Sequence, residues 1–351
     1  MKKPLFLSAY LRTNPGDDMM VLTLTKRYPN KRFFLYCHPR HRTCLSKESN
    51  VRFVAAPLYY ADRLLLRIIK KEPFRLHYCR RGAAVQIGGS MYIEPANFNP
   101  NSTSFQLKPQ YIIGANFGPY KTEAYFKHIE KTLAQAKDIC FRDRYSAELF
   151  SRLPQVRQAP DVLFGYPDYP AANPGNGIGI SIIDPSSRPE LQAFAEAYFD
   201  TIGKLIDLCH EQNIPVTLLS FCPEEGDDNA LRQIQLHTKT RAYKQFTYNG
   251  DPAALLNIMN ECSCILATRF HAMIFGWMLQ KKVMPIIYSN KQKTVLEDIG
   301  YTDKLWNLLK GQVYNPAQLL ADCQACAKVE NTQLLAQQAQ EQFSGLDAYF
   351  A

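Results

Sequence analysis

Residues 262–291 read CSCILATRFHAMIFGWMLQKKVMPIIYSNK, which is an apolar run, a helical pattern and a second apolar run. The runs at 262–268 and 283–288 are mainly apolar and do not strictly alternate in polarity, which is typical of parallel strands covered on both faces. The pattern at 271–281 between them predicts a crossover helix. A strand, a helix and a parallel strand form the unit from which doubly wound α/β sheets are built.

The same alternation runs through the whole chain. In the first half it predicts strands over 4–10, 32–37, 83–89, 111–116 and 138–143, and helices over 18–28, 60–71, 121–136 and 144–152. In the second half it adds strands over 177–183 and 215–221, and helices over 189–212, 228–240, 252–260 and 291–300. Two such sets predict an α/β fold of two Rossmann-like, doubly wound domains that face a cleft.

A Gly- and Pro-rich segment at 165–177 has the composition of a linker. We therefore expect an N-terminal domain over 1–165, a C-terminal domain over 176–325 and a C-terminal helix over 326–351, for which a path back to the first domain stays open. Ligands of open α/β sheets bind beyond the carboxyl ends of the strands. The natural place for a site is thus the cleft between the domains.

Composition narrows the class of protein and its partners. Of the 351 residues 46% are hydrophobic and 21% charged, which excludes a mainly disordered chain. The net charge of +9 is uneven, because residues 1–160 hold 27 Lys and Arg against 11 Asp and Glu. A basic half favours a phosphorylated substrate or an anionic lipid surface. Nucleic acid is not expected, since no zinc-finger, RNP-like or basic-zipper motif occurs.

The amino terminus and the cysteines indicate a cytoplasmic location. The apolar stretch after Met1 is too short for a signal peptide, so a first strand is expected there. Most of the ten cysteines lie in apolar runs, as reduced and buried thiols do. Cys323 and Cys326 form a C-x-x-C pair without a second pair, so no metal site is expected.

Glycine-bearing loops follow several predicted strands. Asn14–Asp18, with Gly16 and Asp17, follows the first. Gly88-Gly89-Ser90 closes the strand at 83–89, and Asn116 ends the strand at 111–116. Glycine permits close approach of a ligand, and a helix N-terminus offers N–H groups to an anion. Each loop is also typical of an ordinary turn, with Asp17 or Asp18 capping the following helix.

Cationic residues occupy equivalent places after other strands. Arg269 and His271 stand where a buried strand meets an apolar helix, so a helix N-terminus, a guanidinium and an imidazole converge, as for binding a carboxylate or phosphate. Arg142 lies at the carboxyl end of the predicted strand at 138–143, and either points into the cleft or pairs with Asp143. Lys291 either adds a further charge or is an ordinary solvated lysine.

These segments carry a family resemblance. The segment TRFHAMIFGWMLQKKVMPIIYSNK (268–291) resembles the hallmark of the polysaccharide pyruvyl transferase family, in which a short element of Ser or Thr, Arg and His opens a helix. NPGDDMM (14–20), QIGGSMY (86–92), CFRDRYS (140–146) and the Pro-Asp at 160–161 resemble further elements of the family in the expected order.

The resemblance implies a GT-B-like fold, phosphoenolpyruvate as donor substrate, no cofactor, and a sugar of a cell-surface polysaccharide or its lipid-linked precursor as acceptor. The product is a pyruvate ketal, with phosphate released. The C-terminal domain then binds the donor and the basic N-terminal domain the acceptor. The implied catalytic residues are Arg142, Arg269 and His271. The implied donor-binding residues are Arg142, Arg269, Phe270, His271 and Lys291, and the implied acceptor or loop residues are Gly16, Asp17, Gly88, Gly89, Ser90 and Asn116.

Residue chemistry suggests roles for some of these groups. We expect His271 to protonate the methylene carbon or the departing phosphate. Asp143 and Asp161 are candidates for the base that deprotonates the sugar hydroxyl.

Two other functions stay open from the sequence. One is a GT-B-type glycosyltransferase that uses a nucleotide sugar, for which Glu224-Glu225 is the candidate contact. The other is a non-catalytic protein that binds anionic glycans.

The basic, apolar stretch at 58–81 has two interpretations. It contains seven Lys and Arg and one Glu from residue 63 onward. An interfacial helix on the anionic inner face of the cell membrane fits this pattern. A helix packed on the sheet with a charged rim fits it as well.

Overall fold

The chain forms two compact units, seen in a computed structural model that describes residues 5–69, 71–80, 82–99, 109–311 and 313–351. The first unit holds the described residues up to Leu11, then Asp17–Pro167 and Gln333–Ala351. The second holds Arg12–Gly16 and Asp168–Thr332. Residues 12–16 and 326–332 therefore belong to the second unit, whereas the sequence placed them in the first domain and in the C-terminal helix.

The first unit is built on seven parallel strands in the order β3-β2-β1-β4-β5-β6-β7. The strands are β1 (Leu5–Ser8), β2 (Phe33–Leu35), β3 (Val51–Phe53), β4 (Ala84–Ile87), β5 (Tyr111–Ala115), β6 (Asp138–Phe141) and β7 (Val156–Gln158). The helices along this part of the chain are α1 (Pro15–Arg27), α2 (Ala56–Ile69), α3 (Pro73–Arg80), α4 (Glu123–Leu133) and α5 (Arg144–Leu149). The central strands β4 and β5 are buried along their whole length, as their apolar sequences predict.

The second unit repeats the plan with six parallel strands in the order β10-β9-β8-β11-β12-β13. The strands are β8 (Ile178–Ser181), β9 (Val216–Ser220), β10 (Lys244–Thr247), β11 (Cys264–Ala267), β12 (Lys282–Ile287) and β13 (Trp306–Asn307). The helices are α6 (Ala195–Glu211), α7 (Asp227–His237), α8 (Pro252–Asn260), α9 (Phe270–Met278), α10 (Asn290–Asp298) and α11 (Pro316–Ala325). In each sheet the chain leaves the first strand in one direction and returns on its other side, which is the Rossmann order.

The short outer strands were not predicted from the sequence. β3 and β7 form the edges of the first sheet, and β10 and β13 form those of the second. β10 is largely exposed, so its residues make no continuous apolar run. Helix α3 was also missed, and of the basic stretch at 58–81 the residues 70 and 81 lie outside the described part of the chain.

The start of α1 differs from its prediction. The helix begins at Pro15 rather than at residue 18, and Asn14 Oδ1 accepts the Gly16 N–H at 3.1 Å. Proline suits the first helical position, because its missing N–H has no partner there in any helix. Asp17 and Asp18 consequently lie inside the first turn, after the cap position.

The C-terminal segment is not the single helix expected over 326–351. After α11 the chain forms α12 (Thr332–Ala339) and α13 (Ser344–Phe350), joined by a short 3₁₀ turn. Residues 333–351 pack on the first unit, where Gln342 accepts the Gly114 N–H and donates to the carbonyls of Ala159 and Pro160. One buried amide side chain thus satisfies backbone groups near the carboxyl ends of β5 and β7.

All ten cysteines are free, and eight of them are buried. Burial raises the pKa of most of these thiols, for example that of Cys209 to about 11. Such thiols are inert structural groups rather than nucleophiles. Among the helices of the described ranges, none has the length and apolar character that crossing a bilayer requires.

Candidate functional site

Arg269 is positioned by the adjoining carboxyl ends of β8 and β11. It follows β11 and takes the N-cap position of α9 with an extended backbone. The backbone N–H groups of Thr268 and Arg269 both donate to Ser181 Oγ, at 3.0 and 3.1 Å. Because β8 and β11 are the neighbours between which the strand order reverses, this is the switch point at which ligands of such sheets bind.

Two carboxylates hold the Arg269 guanidinium. Nη1 donates to Glu225 and Nη2 to Asp227, while Nε is buried and has no hydrogen-bond partner in the described part of the chain. Asp227 is fixed in turn by the N–H groups of Phe221 and Cys222, at 2.7 and 2.8 Å. The side chain of Arg269 is therefore rigid, and it keeps one N–H that no described protein atom satisfies.

Titration of the two carboxylates reflects their different surroundings. Burial raises the pKa of Asp227 in spite of the Arg269 charge. Burial acts in the same direction on Glu225, but Arg269, Arg188 and Lys291 outweigh it and lower the pKa of that carboxyl. Glu225 thus lies in the combined field of three cations.

His271 lies in the first turn of α9, beside an aromatic wall. Its ring meets Phe270 edge-to-face with centroids 5.0 Å apart and lies 6.3 Å from Phe275. The imidazole lies directly against Gly16, because a Cβ added to Gly16 would overlap the His271 ring. Lys291 Nζ lies 5.7 Å from the Phe270 ring centroid. The second unit therefore brings Gly16, Arg269, Phe270, His271 and Lys291 together.

Arg142 lies in the first unit and is almost completely buried, with 3% of its surface exposed. Nη1 donates to Asp161 at 2.8 Å and Nη2 to Asn116 at 2.6 Å. A Cβ on Gly89 would overlap the guanidinium, so only glycine fits there. Arg142 thus ties together the loops that follow β4, β5, β6 and β7.

Asp143, the residue that one interpretation of the sequence paired with Arg142, has its own role at the start of the next helix. It caps α5, where it accepts the Ser146 N–H at 2.8 Å and the Ser146 hydroxyl at 3.0 Å. Ser146 Oγ then accepts the Phe117 N–H at 2.8 Å. The Arg-Asp-x-x-Ser element thus has two structural tasks, and Asp143 and Asp161 are both engaged within the protein.

The glycine loop that follows β4 lies beside Arg142. Gly88 has φ +145°, which a side chain rarely adopts, and a Cβ there would lie 3.7 Å from Asp17 Oδ1. The Asn116 N–H donates to the Gly89 carbonyl at 2.8 Å. Ser90 follows as a half-buried residue. Asp17, Gly88, Gly89, Ser90 and Asn116 therefore gather at the carboxyl edge of the first sheet.

The sequence did not single out Arg188 or Asp227, and it gave Glu225 a different role. Arg188 follows β8, and its guanidinium carbon lies 4.9 Å from the Tyr288 ring centroid. The sequence signal that could have indicated Arg188 is its position soon after a predicted buried strand. No pattern along the chain pairs Arg269 with residues more than forty positions away.

No cluster of three or more metal-ligating side chains occurs among the residues that the structure describes. Cys323 and Cys326 lie at the end of α11 and are buried.

Comparison with known proteins adds a family and a fold. The sequence model of the family described as polysaccharide pyruvyl transferase matches residues 14–290. No curated protein matches the chain by sequence.

Solved structures resemble the chain in fold. Anabaena Alr3699/HepE, in complex with UDP and glucose, has a TM-score of 0.58 at 11% identity over 100% of this chain and 99% of its own. The UDP-GlcNAc 2-epimerase of Methanocaldococcus jannaschii has a TM-score of 0.52 at 10% identity over 93% and 92%. At such identities the likeness shows the fold alone, which is the predicted GT-B-like α/β fold with two parallel sheets.

Proposed function

Because the chain belongs to the polysaccharide pyruvyl transferase family, we propose that it transfers pyruvate from phosphoenolpyruvate to a sugar of a cell-surface polysaccharide or of its lipid-linked precursor. The product is a pyruvate ketal across two sugar hydroxyls, and phosphate leaves. The observation that carries this proposal is the set of Arg269, His271 and Lys291 beyond the carboxyl ends of β11 and β12 in the second unit.

The donor is a small dianion or trianion with a carboxylate and a phosphate. Lys291 and the N-terminus of α9 supply positive potential for it. Arg269 adds its charge and its unsatisfied Nε, and a buried N–H without a partner is stabilised when an anion accepts from it. When several such groups hold the donor, they also orient its enol for reaction.

The proposed reaction balances in four transfers. A proton adds to the methylene carbon, and C2 becomes an oxocarbenium-like centre. One sugar hydroxyl bonds to C2 and loses its proton, and the bond from C2 to the phosphate oxygen breaks. The second hydroxyl then closes the ring with loss of its own proton. Of the two protons released, one balances the proton added to the methylene carbon and the other goes to the departing phosphate. We assign His271 the proton delivered to the methylene carbon or to the departing phosphate, a role worth roughly 10²–10⁴-fold in rate.

Arg142 has a different part in this proposal from the one that the resemblance implied. Both of its terminal nitrogens already donate to Asp161 and Asn116, and the side chain is buried. We assign it the positioning of the loops that carry Gly88, Gly89 and Asn116. No general base is assigned, since Asp143 and Asp161 are used within the protein.

The acceptor chemistry extends the proposal to a membrane surface. Helix α2 exposes Tyr60, Leu64 and Ile68, which are spaced four residues apart and lie on one face. Arg63 and Arg67 flank this stripe. On its other side Asp62 is buried and accepts the N–H groups of Phe74 and Arg75 in α3. An apolar stripe with basic neighbours suits peripheral binding to anionic lipid at the inner face of the membrane, where lipid-linked sugars are modified.

The reaction is tested by incubating the full chain with phosphoenolpyruvate and candidate aryl or lipid-linked glycosides. We expect release of phosphate together with a gain in acceptor mass equal to pyruvate minus water. In a parallel incubation with UDP-glucose, release of UDP and a gain of one hexose would instead support the nucleotide-sugar glycosyltransferase. Binding of the glycoside without turnover of either donor would support the non-catalytic alternative.

Two substitutions test the assigned residues. His271→Ala and Arg269→Ala should each lower phosphate release by about 100-fold or more. His210→Ala and Arg232→Ala are matched controls, since both side chains are exposed on helices of the same unit. Rates within a factor of two of the unmodified chain for His271→Ala and Arg269→Ala would refute both assignments.

A further inference from the structure

We propose that Arg188, which no sequence motif indicated, binds an anionic oxygen of the donor beside Arg269 and Lys291. This inference rests on the proposed function and adds a specificity residue to the same site. It concerns the shared chemistry of the donor's carboxylate and phosphate, either of which a guanidinium binds with charge-assisted hydrogen bonds.

Strand order places the three cations side by side. Arg188 follows β8, Arg269 follows β11 and Lys291 follows β12. β8 pairs with β11, which pairs with β12, so the loops after these strands leave the sheet next to one another. The lowered pKa of Glu225, to which all three cations contribute, agrees with this placement.

The loop that carries Arg188 is held in one conformation. Asp184 caps the 3₁₀ turn Pro185–Ser187 by accepting the Ser186 N–H at 2.9 Å, and it also accepts from Asn229 Nδ2 at 2.8 Å. The Arg188 N–H donates to the Pro185 carbonyl at 3.1 Å. A guanidinium on such a loop is preorganised, so little conformational freedom is lost when it binds a ligand.

The side chain has capacity for a ligand. Its guanidinium lies against the Tyr288 ring at 4.9 Å, and its Nε is buried with no hydrogen-bond partner among the described residues. Arg269, in contrast, has both terminal nitrogens engaged by Glu225 and Asp227. Arg269 thus offers the anion its charge and its Nε, whereas the terminal nitrogens of Arg188 are not engaged by any described carboxylate in this way.

The test compares Arg188→Met and Arg188→Lys with Arg232→Met, a control on the exposed side of α7. For Arg188→Met we expect the KM for phosphoenolpyruvate to rise by about 10- to 100-fold, as the loss of charge-assisted hydrogen bonds implies. The KM for the acceptor should not change. Arg188→Lys should recover part of the affinity, and Arg232→Met should match the unmodified chain.

Calorimetry with inorganic phosphate and with pyruvate separates the two anionic groups. If Arg188→Met weakens phosphate binding only, the residue binds the phosphate; if it weakens pyruvate binding only, it binds the carboxylate. Unchanged KM for phosphoenolpyruvate and unchanged binding of both probes would overturn the inference.

The same measurements separate the inference from the proposed function. If the unmodified chain binds phosphate or pyruvate in a way that depends on Arg188 but transfers no pyruvate, the anion site stands and the proposed reaction fails. If the unmodified chain transfers pyruvate and Arg188→Met does so with the same KM, the reaction stands and the inference fails. Equal unfolding midpoints in urea for both Arg188 variants show that folding is not the cause.

Discussion

Arg142 donates to Asp161 across 2.8 Å in the first unit, and at most 2% of either side chain is exposed to solvent. Removing one partner of a buried ion pair leaves a charge without compensation, which costs about 3–5 kcal/mol. Asp161→Ala should therefore lower the free energy of unfolding in urea by about that amount.

The matched control for this prediction is an exposed ion pair in the same unit. Glu123 pairs with Lys127 at 3.6 Å, with both side chains about 70% exposed. Glu123→Gln should change stability by less than about 1 kcal/mol, because water screens such pairs. An equal, small effect of both substitutions would contradict a structural role for Asp161.

Gly16 sets the position of His271 in the second unit. Gly16→Ala should displace the imidazole, since the added methyl group would overlap it, and a misplaced catalytic group commonly costs about 100-fold in rate. We expect phosphate release to fall by about 10-fold or more, with little change in the urea midpoint. Gly300→Ala is the control for an added methyl group that meets nothing, because no atom lies within 4 Å of the added Cβ. A rate for Gly16→Ala equal to that of Gly300→Ala would disprove the link.

Asp347, in the C-terminal segment that packs on the first unit, should make the stability of the fold depend on pH. Asp347 accepts from Arg27 Nη2 at 2.7 Å and from Tyr28 Oη at 2.8 Å. Burial alone would raise the pKa of Asp347, but these hydrogen bonds and the Arg27 charge lower it below its ordinary 3.8. A depressed pKa means that the ionised carboxylate stabilises the fold above pH 3.8 and that this contribution disappears as the pH falls through the lowered value.

Asp347→Asn should accordingly be less stable than the unmodified chain at pH 7, and the difference should shrink below about pH 4. Urea titrations of both proteins at several pH values measure it. A difference that stays constant down to about pH 2 would show that the carboxylate charge is not responsible.

Substitutions on the exposed face of helix α2 test the proposed membrane binding. The full chain should float with vesicles that contain phosphatidylglycerol and not with pure phosphatidylcholine, and raised salt should weaken binding. Leu64→Glu with Ile68→Glu should abolish flotation. Leu236→Glu, at an exposed leucine on α7 of the second unit, is the control; flotation that survives the α2 double substitution would assign binding elsewhere or to charge alone.

The local sequence determined much of the fold, because buried parallel strands need continuous apolar runs. β8, β9, β11 and β12 lie within one or two residues of their predicted positions. Edge strands such as β10 bury little surface and carry no such signal. The break between α11 and α12 was likewise missed, since each segment is helical by composition.

The candidate site, like the fold, was predicted only in part from the sequence. The sequence by itself determined which residues follow the strands at their carboxyl ends, since strand periodicity and loop composition are local, and so it identified Arg142, Arg269, His271 and Lys291. Only the tertiary structure decided their partners: Arg142 pairs with Asp161, and Arg269 with Glu225 and Asp227. Those partners lie in segments that follow other strands, and the order of the strands in each sheet brings them close. Burial makes an unpaired charge costly and a partner necessary. That burial arises only when the sheets and helices pack.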